Sequence, residues 1–226
     1  MNIAITTLVN PAISNGLGQY IRFLIKGLEE ADKHHQFYIF VNKEFDQFLD
    51  ISHPNFKKVR LDIPHDPRFI MRPAYFAWQN LMAGRFFKKY DIDVFHLPNP
   101  IPLFNTFNVP HVVTIHDTAE LRNFRHSGVH KKFRIFVNNI SAKKASAVVT
   151  VSDFSKKEIC ELMDISSEKV HVSKPGVTLN LSEKSKTTVK SSKPYFLHVG
   201  GSRANKNVER VIEAFLSSEC AKDMAL

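Results

Sequence analysis

Apolar positions along the chain follow two alternating periods. Runs rich in Val, Ile and Phe at 2–9, 36–42, 57–63, 92–97, 111–116, 146–151, 169–173 and 194–199 read as short β-strands. Between several of them the spacing shifts to that of one helical face. Leu17, Tyr20, Ile21, Leu24, Ile25 and Leu28 recur in this way, as do Phe133, Phe136, Val137 and Ile140, and then Ile159, Leu162 and Met163. A chain that alternates strand and helix buries its sheet under helices on both faces, so the expected fold class is α/β: a Rossmann-like, mostly parallel sheet. In such sheets ligands gather outside the carboxyl ends of the strands, and candidate chemistry is sought there.

Three stretches interrupt the pattern. Residues 64–73 contain Pro64, Pro67, Arg68, Arg72 and Pro73; residues 98–110 contain Pro98, Pro100, Pro102 and Pro110; residues 117–128 separate a strand from the next helix. Their length suits functional loops better than simple turns. After Val177 the composition changes, and residues 178–193 hold seven Ser or Thr and four Lys, which is linker chemistry. Beyond it, a strand through Val199, a Gly200-Gly201 turn and a helix opening near Asn205, with Val208, Val211, Ile212 and Phe215 on one face, make a single βα unit. The expected organisation is a domain at 1–177, a linker at 178–193, and the first βα unit of a second, truncated Rossmann-like domain at 194–226. One strand cannot bury both of its sides by itself.

Composition narrows the classes of partner. Of the 226 residues, 43% are apolar and 23% charged, which excludes a disordered or fibrous chain. Thirty-one Lys and Arg against twenty-two Asp and Glu give a formal charge of +9, which favours phosphates, an acidic membrane surface or nucleic acid. Nucleic acid fits least, since no recognised binding module or zinc spacing accompanies the charge. Cys160 and Cys220 form no Cys-x-x-Cys pair, so the expectation is a reducing compartment without a disulfide scaffold or thiolate metal site. Met1-Asn2-Ile3-Ala4-Ile5 reads as a first strand instead of a signal peptide, and no window is apolar enough to span a bilayer. The expected location is cytoplasmic, with peripheral contact on an anionic membrane face through the basic and aromatic stretch at 122–134.

Several short motifs carry candidate chemistry, each with a plainer reading beside it. Gly16-Leu17-Gly18 opens the first helix, either as a simple entry turn or as a set of backbone N–H groups at the positive end of the helix dipole, offered to an anion. The dinucleotide fingerprint fits poorly: Ile21 stands where its third glycine would fall, and strand two ends at Val41-Asn42 without an acidic ribose ligand. His116-Asp117 follows a strand end, where an imidazole can donate to a substrate oxygen and a carboxylate can orient a neighbour; the alternative is a satisfied loop-start pair. No Gly-x-Ser-x-Gly elbow accompanies it.

Asp91 and Asp93 have the look of paired metal carboxylates, yet they precede a strand and so fall at its amino end, away from the crevice. We read them as strand-entry solvation and expect no metal. Ser152-Asp153-Phe154-Ser155 starts a helix, with Ser152 or Asp153 as its cap and the same N–H groups as a second candidate for an anion. Gly200-Gly201-Ser202-Arg203 through Lys206-Asn207 combines glycines, two cations and a helix start, which suits a diphosphate cradle or a solvated turn. It lacks the Walker A order.

Taken together, five segments resemble the glycosyltransferases of family 4, retaining enzymes with the two-Rossmann-domain GT-B fold. They are Asn15 through Tyr20, Thr114-Ile115-His116-Asp117, Val151 through Ser155, Val170 through Val177, and His198 through Arg210. The resemblance implies transfer of a sugar from a nucleotide-sugar donor, UDP- or GDP-linked, to a glycan or lipid-linked acceptor, with no cofactor and no metal. It implies that Gly16 and Gly18 form a backbone wall near the diphosphate and that His116 hydrogen-bonds the transferring sugar. Lys206, assisted by Arg203, would neutralise the leaving diphosphate, and Asp117, Ser152, Gly176, Gly200 and Gly201 would contact the cleft. Asn205 stands where the family commonly has a basic residue, and Lys174-Pro175-Gly176-Val177 replaces its usual Pro-Asn-Gly-Val. The family's paired glutamates would lie beyond Leu226, so the resemblance implies a weakly active or inactive form of this length. The alternative expectation is a non-catalytic sugar-nucleotide or acceptor-binding domain that works with a partner chain.

Overall fold

The computed structural model of the chain describes residues 1–8, 15–62, 77–100, 107–119, 121, 128–176, 193–199 and 206–225. The proline-rich stretch at 64–73, residues 122–127 of the basic stretch at 122–134, the expected linker except Lys193, and Gly200, Gly201 and Arg203 lie outside the described residues. The chain divides into two compact units, Met1–Thr178 and Leu179–Leu226.

In the first unit, seven strands among the described residues form one sheet: β1 (Asn2–Thr6), β2 (Gln36–Val41), β3 (Phe56–Arg60), β4 (Val94–Leu97), β5 (His111–Thr114), β6 (Ala147–Thr150) and β7 (Val170–Val172). Their spatial order is β3-β2-β1-β4-β5-β6-β7, and every pairing is parallel. This is the Rossmann-like α/β arrangement that the alternating periods predict. The edges are the polar strands: Lys57, Lys58 and Arg60 stand along β3, and His171 is exposed on β7. Charge on an edge discourages further strand pairing. β2, paired on both sides by β1 and β3, buries five consecutive residues, Phe37 to Val41, as a strand covered on both faces must.

Side-chain alternation sorts these residues onto two cores. Phe37, Ile39 and Val41 join Ile5 beneath α1 (Gly16–Ala31), through Ile21 and Ile25, and α2 (Lys43–Phe48), through Phe45. Tyr38 and Phe40 point the other way, into a core with Trp78, Ala83 and Phe87 of the turn Trp78–Met82 and α3 (Ala83–Lys89). The same second core takes Ala142 of α4 (Gly128–Lys144) and Ile159 and Met163 of α5 (Asp153–Met163). Phe136 and Leu162, which the helical spacing assigns to buried faces, are instead 50% and 44% exposed. Each lies one position from a buried neighbour, Val137 or Met163, so the stripe is narrower than the apolar pattern suggests.

Two polar anchors fix the frame. Asn2 N–H donates to Asp93 Oδ2 at 2.7 Å, and the Asn2 amide donates to the carbonyls of Tyr90 and Asp91 at 3.0 Å each. Asp93 thus serves the amino ends of β1 and β4. Glu29, only 4% exposed on α1, accepts from the N–H groups of Ser52 and His53 at 2.9 Å, tying that helix to the entry of β3. Both are pairings that a buried or edge polar group requires.

The second unit contains α6 (Val208–Leu216) among its described residues. The expected strand at 194–199 does not form there. Tyr195 makes an isolated bridge to Ala225, and Phe196 N–H donates to the Ala225 carbonyl at 2.9 Å. A single pairing partner does not extend into a ladder, and Leu197 and Val199 stay 76% and 86% exposed. The rings of Phe196 and Phe215 pack edge-on at 6.2 Å.

Two helical glycines differ in surroundings, and this generates a paired prediction. A Cβ at Gly27 of α1 meets nothing within 4 Å, whereas at Gly84 of α3 it would lie 2.3 Å from Cδ1 of Phe107. Gly27→Ala is expected to stabilise the fold by about 0.5–1 kcal/mol through helix propensity. Gly84→Ala is expected to destabilise it by about 1–3 kcal/mol through overpacking against a ring rooted in a neighbouring loop. Urea unfolding of the two variants checks the opposite signs.

Candidate functional site

Strand order reverses direction in sequence between β1 and β4, and parallel α/β sheets open their binding crevice at such a point. The loops after β1, β4 and β5 therefore define the site. On the β1 side, α1 begins at Gly16 with Asn15 as cap. The Asn15 Oδ1 accepts from Gly18 N–H at 2.9 Å, so that first-turn amide is already committed. Gly16 is exposed, and a Cβ there would meet nothing within 4 Å. Of the two glycines, Gly16 leaves backbone open to a ligand, while Gly18 is buried within the capped turn.

Register explains what lies beneath. His96 of β4 pairs with Ile5 of β1 and with Val112 of β5, so His96, Ile5 and Val112 share the α1 face, and Thr114 follows Val112 by two. Tyr20, on the second turn of α1, reaches across to them. Its hydroxyl lies 3.4 Å from Thr114 Oγ1, and the same oxygen is 2.9 Å from His96 Nε2. Thr114 is completely buried and serves as the hub of this chain. Burial pushes the His96 pKa down to about 4, with the neighbouring His116 adding to the shift. Burial also raises Tyr20 above the usual phenol range, against the opposing Thr114 contact.

His116 stands two residues beyond β5. Its Nε2 donates to the Pro98 carbonyl at 2.9 Å, and its ring meets Tyr20 edge-on, centroids 4.5 Å apart at 88°. Burial lowers its pKa, while the Pro98 bond and the Asp117 charge oppose that shift. Asp117 turns back on its own loop, accepting from Ala119 N–H at 3.1 Å. Two contacts from α5 secure the loop: Ser155 Oγ donates to the His116 carbonyl at 3.4 Å, and the Thr118 hydroxyl donates to the buried Glu158. Ser152 is the cap of α5, accepting from Ser155 N–H at 3.1 Å. The exposed carboxylate of Asp153 points toward Lys174, 3.8 Å away.

The structure thus brings the start of α1, His116, Asp117 and the Ser152 cap to one end of the sheet. Gly176 is exposed after β7, on the same strand-end side, and lies apart from this network among the described contacts. Lys206 belongs to the second unit, exposed just before Asn207, whose left-handed backbone (φ 52°) leads into α6. Sequence reading included Tyr20, Thr114 and Ser155 in the family-like segments without giving them a role, and it missed His96 and Glu158 as parts of the site. A signal existed for two of these residues: His96 and Thr114 are polar residues near the carboxyl ends of otherwise apolar strands.

These histidines make stability depend on pH. His96 and the buried His111 both have native pKa values near 4, the latter lowered by burial and by Lys169 and Lys144, against about 6.5 when unfolded. Above pH 6.5 neither state binds the protons and stability is full; as pH falls from 6.5 toward 4 the unfolded chain takes them up first and stability is lost. Unfolding free energies at pH 7.5 and 5 should show this fall, and His111→Gln should flatten the slope.

Comparison with known proteins identifies the family and the fold. The sequence profile described as Glycosyltransferase Family 4 matches residues 14–181. No curated protein matches the chain. A glycosyltransferase from Rickettsia africae ESF-5 superposes with a TM-score of 0.56 at 16% identity, covering 100% of this chain and 67% of that one. Arabidopsis thaliana UGT89C1, solved complexed with UDP-L-rhamnose, gives a TM-score of 0.60 at 10% identity over 96% of this chain and 63% of its own. The sucrose-phosphate synthase of Thermosynechococcus elongatus gives 0.50 at 16% identity over 78% and 90%. These likenesses carry the fold, the Rossmann-like sheet of GT-B glycosyltransferases. The profile spans the glycine turn, the His116 loop and the Ser152 cap together, and on that match the chain belongs to Glycosyltransferase Family 4.

Proposed function

We propose that this protein takes part in transfer of a sugar from a nucleotide-sugar donor, UDP- or GDP-linked, to a glycan or lipid-linked acceptor, with retention at the anomeric carbon. The observation that carries the reading is His116, held at the carboxyl end of β5 beside the β1–β4 switch, in a chain of this family. A structural neighbour complexed with UDP-L-rhamnose supports a nucleotide sugar as donor.

The roles follow from the chemistry of the step. As the bond between sugar and diphosphate breaks, negative charge grows on the leaving group, and stabilising that charge has the largest effect on rate. We assign Lys206 to the diphosphate, with Arg203 assisting; a cation before a helix start is suited to the task. Gly16 supplies open backbone at the positive end of α1. His116 holds a hydroxyl of the transferring sugar, and its lowered pKa keeps the ring neutral at pH 7, so it binds without adding charge.

Transfer is assayed with purified protein, UDP- and GDP-sugars and candidate acceptors, with NMR of the product for its anomeric configuration. His116→Ala is expected to lower kcat/KM by about 10- to 100-fold, the loss of one hydrogen bond to the sugar at about 1–3 kcal/mol. An unchanged rate would remove His116 from the site. The family resemblance leads us to expect transfer to survive dialysis against EDTA; loss of activity restored by a divalent cation would contradict the metal-free reading.

A further inference from the structure

Three segments of the chain converge on one residue. Tyr20 from α1, Pro98 from the end of β4 and Ser155 from α5 all meet the His116 residue. A carbonyl oxygen only accepts, so the 2.9 Å contact between Nε2 and Pro98 O requires the proton on Nε2. In the neutral ring Nδ1 then carries a lone pair, and no described residue bonds it. The polarity is the reverse of the one expected from sequence, in which the imidazole donates to a substrate oxygen.

The edge-on contact with Tyr20 decides whether this arrangement persists. A flip of the imidazole about its Cβ–Cγ bond would take Nε2 away from Pro98, and the Tyr20 ring, 4.5 Å away at 88°, occupies one side of the space through which it turns. Tyr20 is itself held from below, its hydroxyl 3.4 Å from Thr114 Oγ1, which is fully buried and 2.9 Å from His96 Nε2. Three groups from α1, β4 and β5 therefore form a support under the ring. Ser155 adds a hold on the backbone of the same residue at 3.4 Å.

We infer that Tyr20 is a positioning residue for His116, locking the imidazole as its Nε2–H tautomer so that Nδ1 accepts a hydrogen bond from a ligand hydroxyl. That the ligand is a sugar rests on the reading above; the tautomer and its dependence on Tyr20 do not. A hydroxyl donating into Nδ1 is distinguished from a keto or phosphate oxygen, which has no proton to give. The support thus contributes selectivity for hydroxyl-bearing ligands as well as orientation.

Long-range proton–nitrogen NMR on the nitrogen-15-labelled chain at pH 7.5 tests this, with His116 assigned by signal loss in His116→Gln. The expected wild-type pattern is a protonated Nε2 and an unprotonated Nδ1, with through-space contact between the Tyr20 and His116 ring protons. Tyr20→Phe, which keeps the ring, should retain the pattern, and Tyr20→Leu should replace it with averaged nitrogen shifts. A proton on Nδ1 in the wild type, absence of the ring contact, or a Tyr20→Leu pattern identical to wild type would each overturn the inference. The first two need no Tyr20 variant, so failure of Tyr20→Leu to fold leaves the idea open to refutation. Transfer assays on the same samples separate the two readings: a locked tautomer without transfer upholds the positioning role and counts against the transferase.

Discussion

The reversal of strand order at β1 governs the rest of the molecule. β2 and β3 lie to one side of it, and β4 through β7 lie to the other. Crossovers between parallel strands are right-handed, so building outward in opposite directions sends the helices to opposite faces of the sheet. The two cores record this: α1 and α2 share one with Ile5 and Ile39, whereas α3, α4 and α5 share the other with Ala4 and Phe40. Chain leaving β1 therefore diverges from chain leaving β4 and β5. The space between them is the only place where the start of a helix, an open glycine backbone and a strand-end histidine converge among the described residues.

Polar groups at the floor of that space connect its walls. Thr114 is enclosed, and an enclosed hydroxyl is costly unless it is paired. Its partners, Tyr20 and His96, come from elements distant in sequence, so satisfying one hydroxyl joins α1, β4 and β5. The same reasoning applies to Glu158, whose bond with Thr118 couples α5 to the loop carrying His116. His116 is thus held by groups from other elements, Tyr20, Pro98 and Ser155, and such support keeps a side chain preorganised.

Charge and burial act in opposite senses on this floor. The chain as a whole carries an excess of +9, favourable for a phosphate-bearing ligand. The histidines nearest the crevice add nothing to it, because burial holds His96 and His116 toward their neutral forms. Within the first unit the feature that favours an anion is the positive end of α1 at Gly16. Within the first unit, neutral rings able to pair with hydroxyls and a helix dipole able to hold an anion divide two kinds of polar recognition between them.

The sequence by itself determined the parallel α/β class, seven strands, the buried faces of α1 and the strand-end position of His116, because each depends on local periodicity or on a short motif. It misjudged the segment at 194–199, where apolar content suggests a strand but strand formation depends on a pairing partner supplied from elsewhere. It also left Tyr20 as an apolar position at the end of the glycine segment, with no role, and His96 as an ordinary strand residue. Their meeting at Thr114 depends on register between β1, β4 and β5 and on how α1 crosses that register, which are long-range quantities invisible in spacing. Periodicity fixes which face a residue takes; only tertiary packing decides whom it meets there.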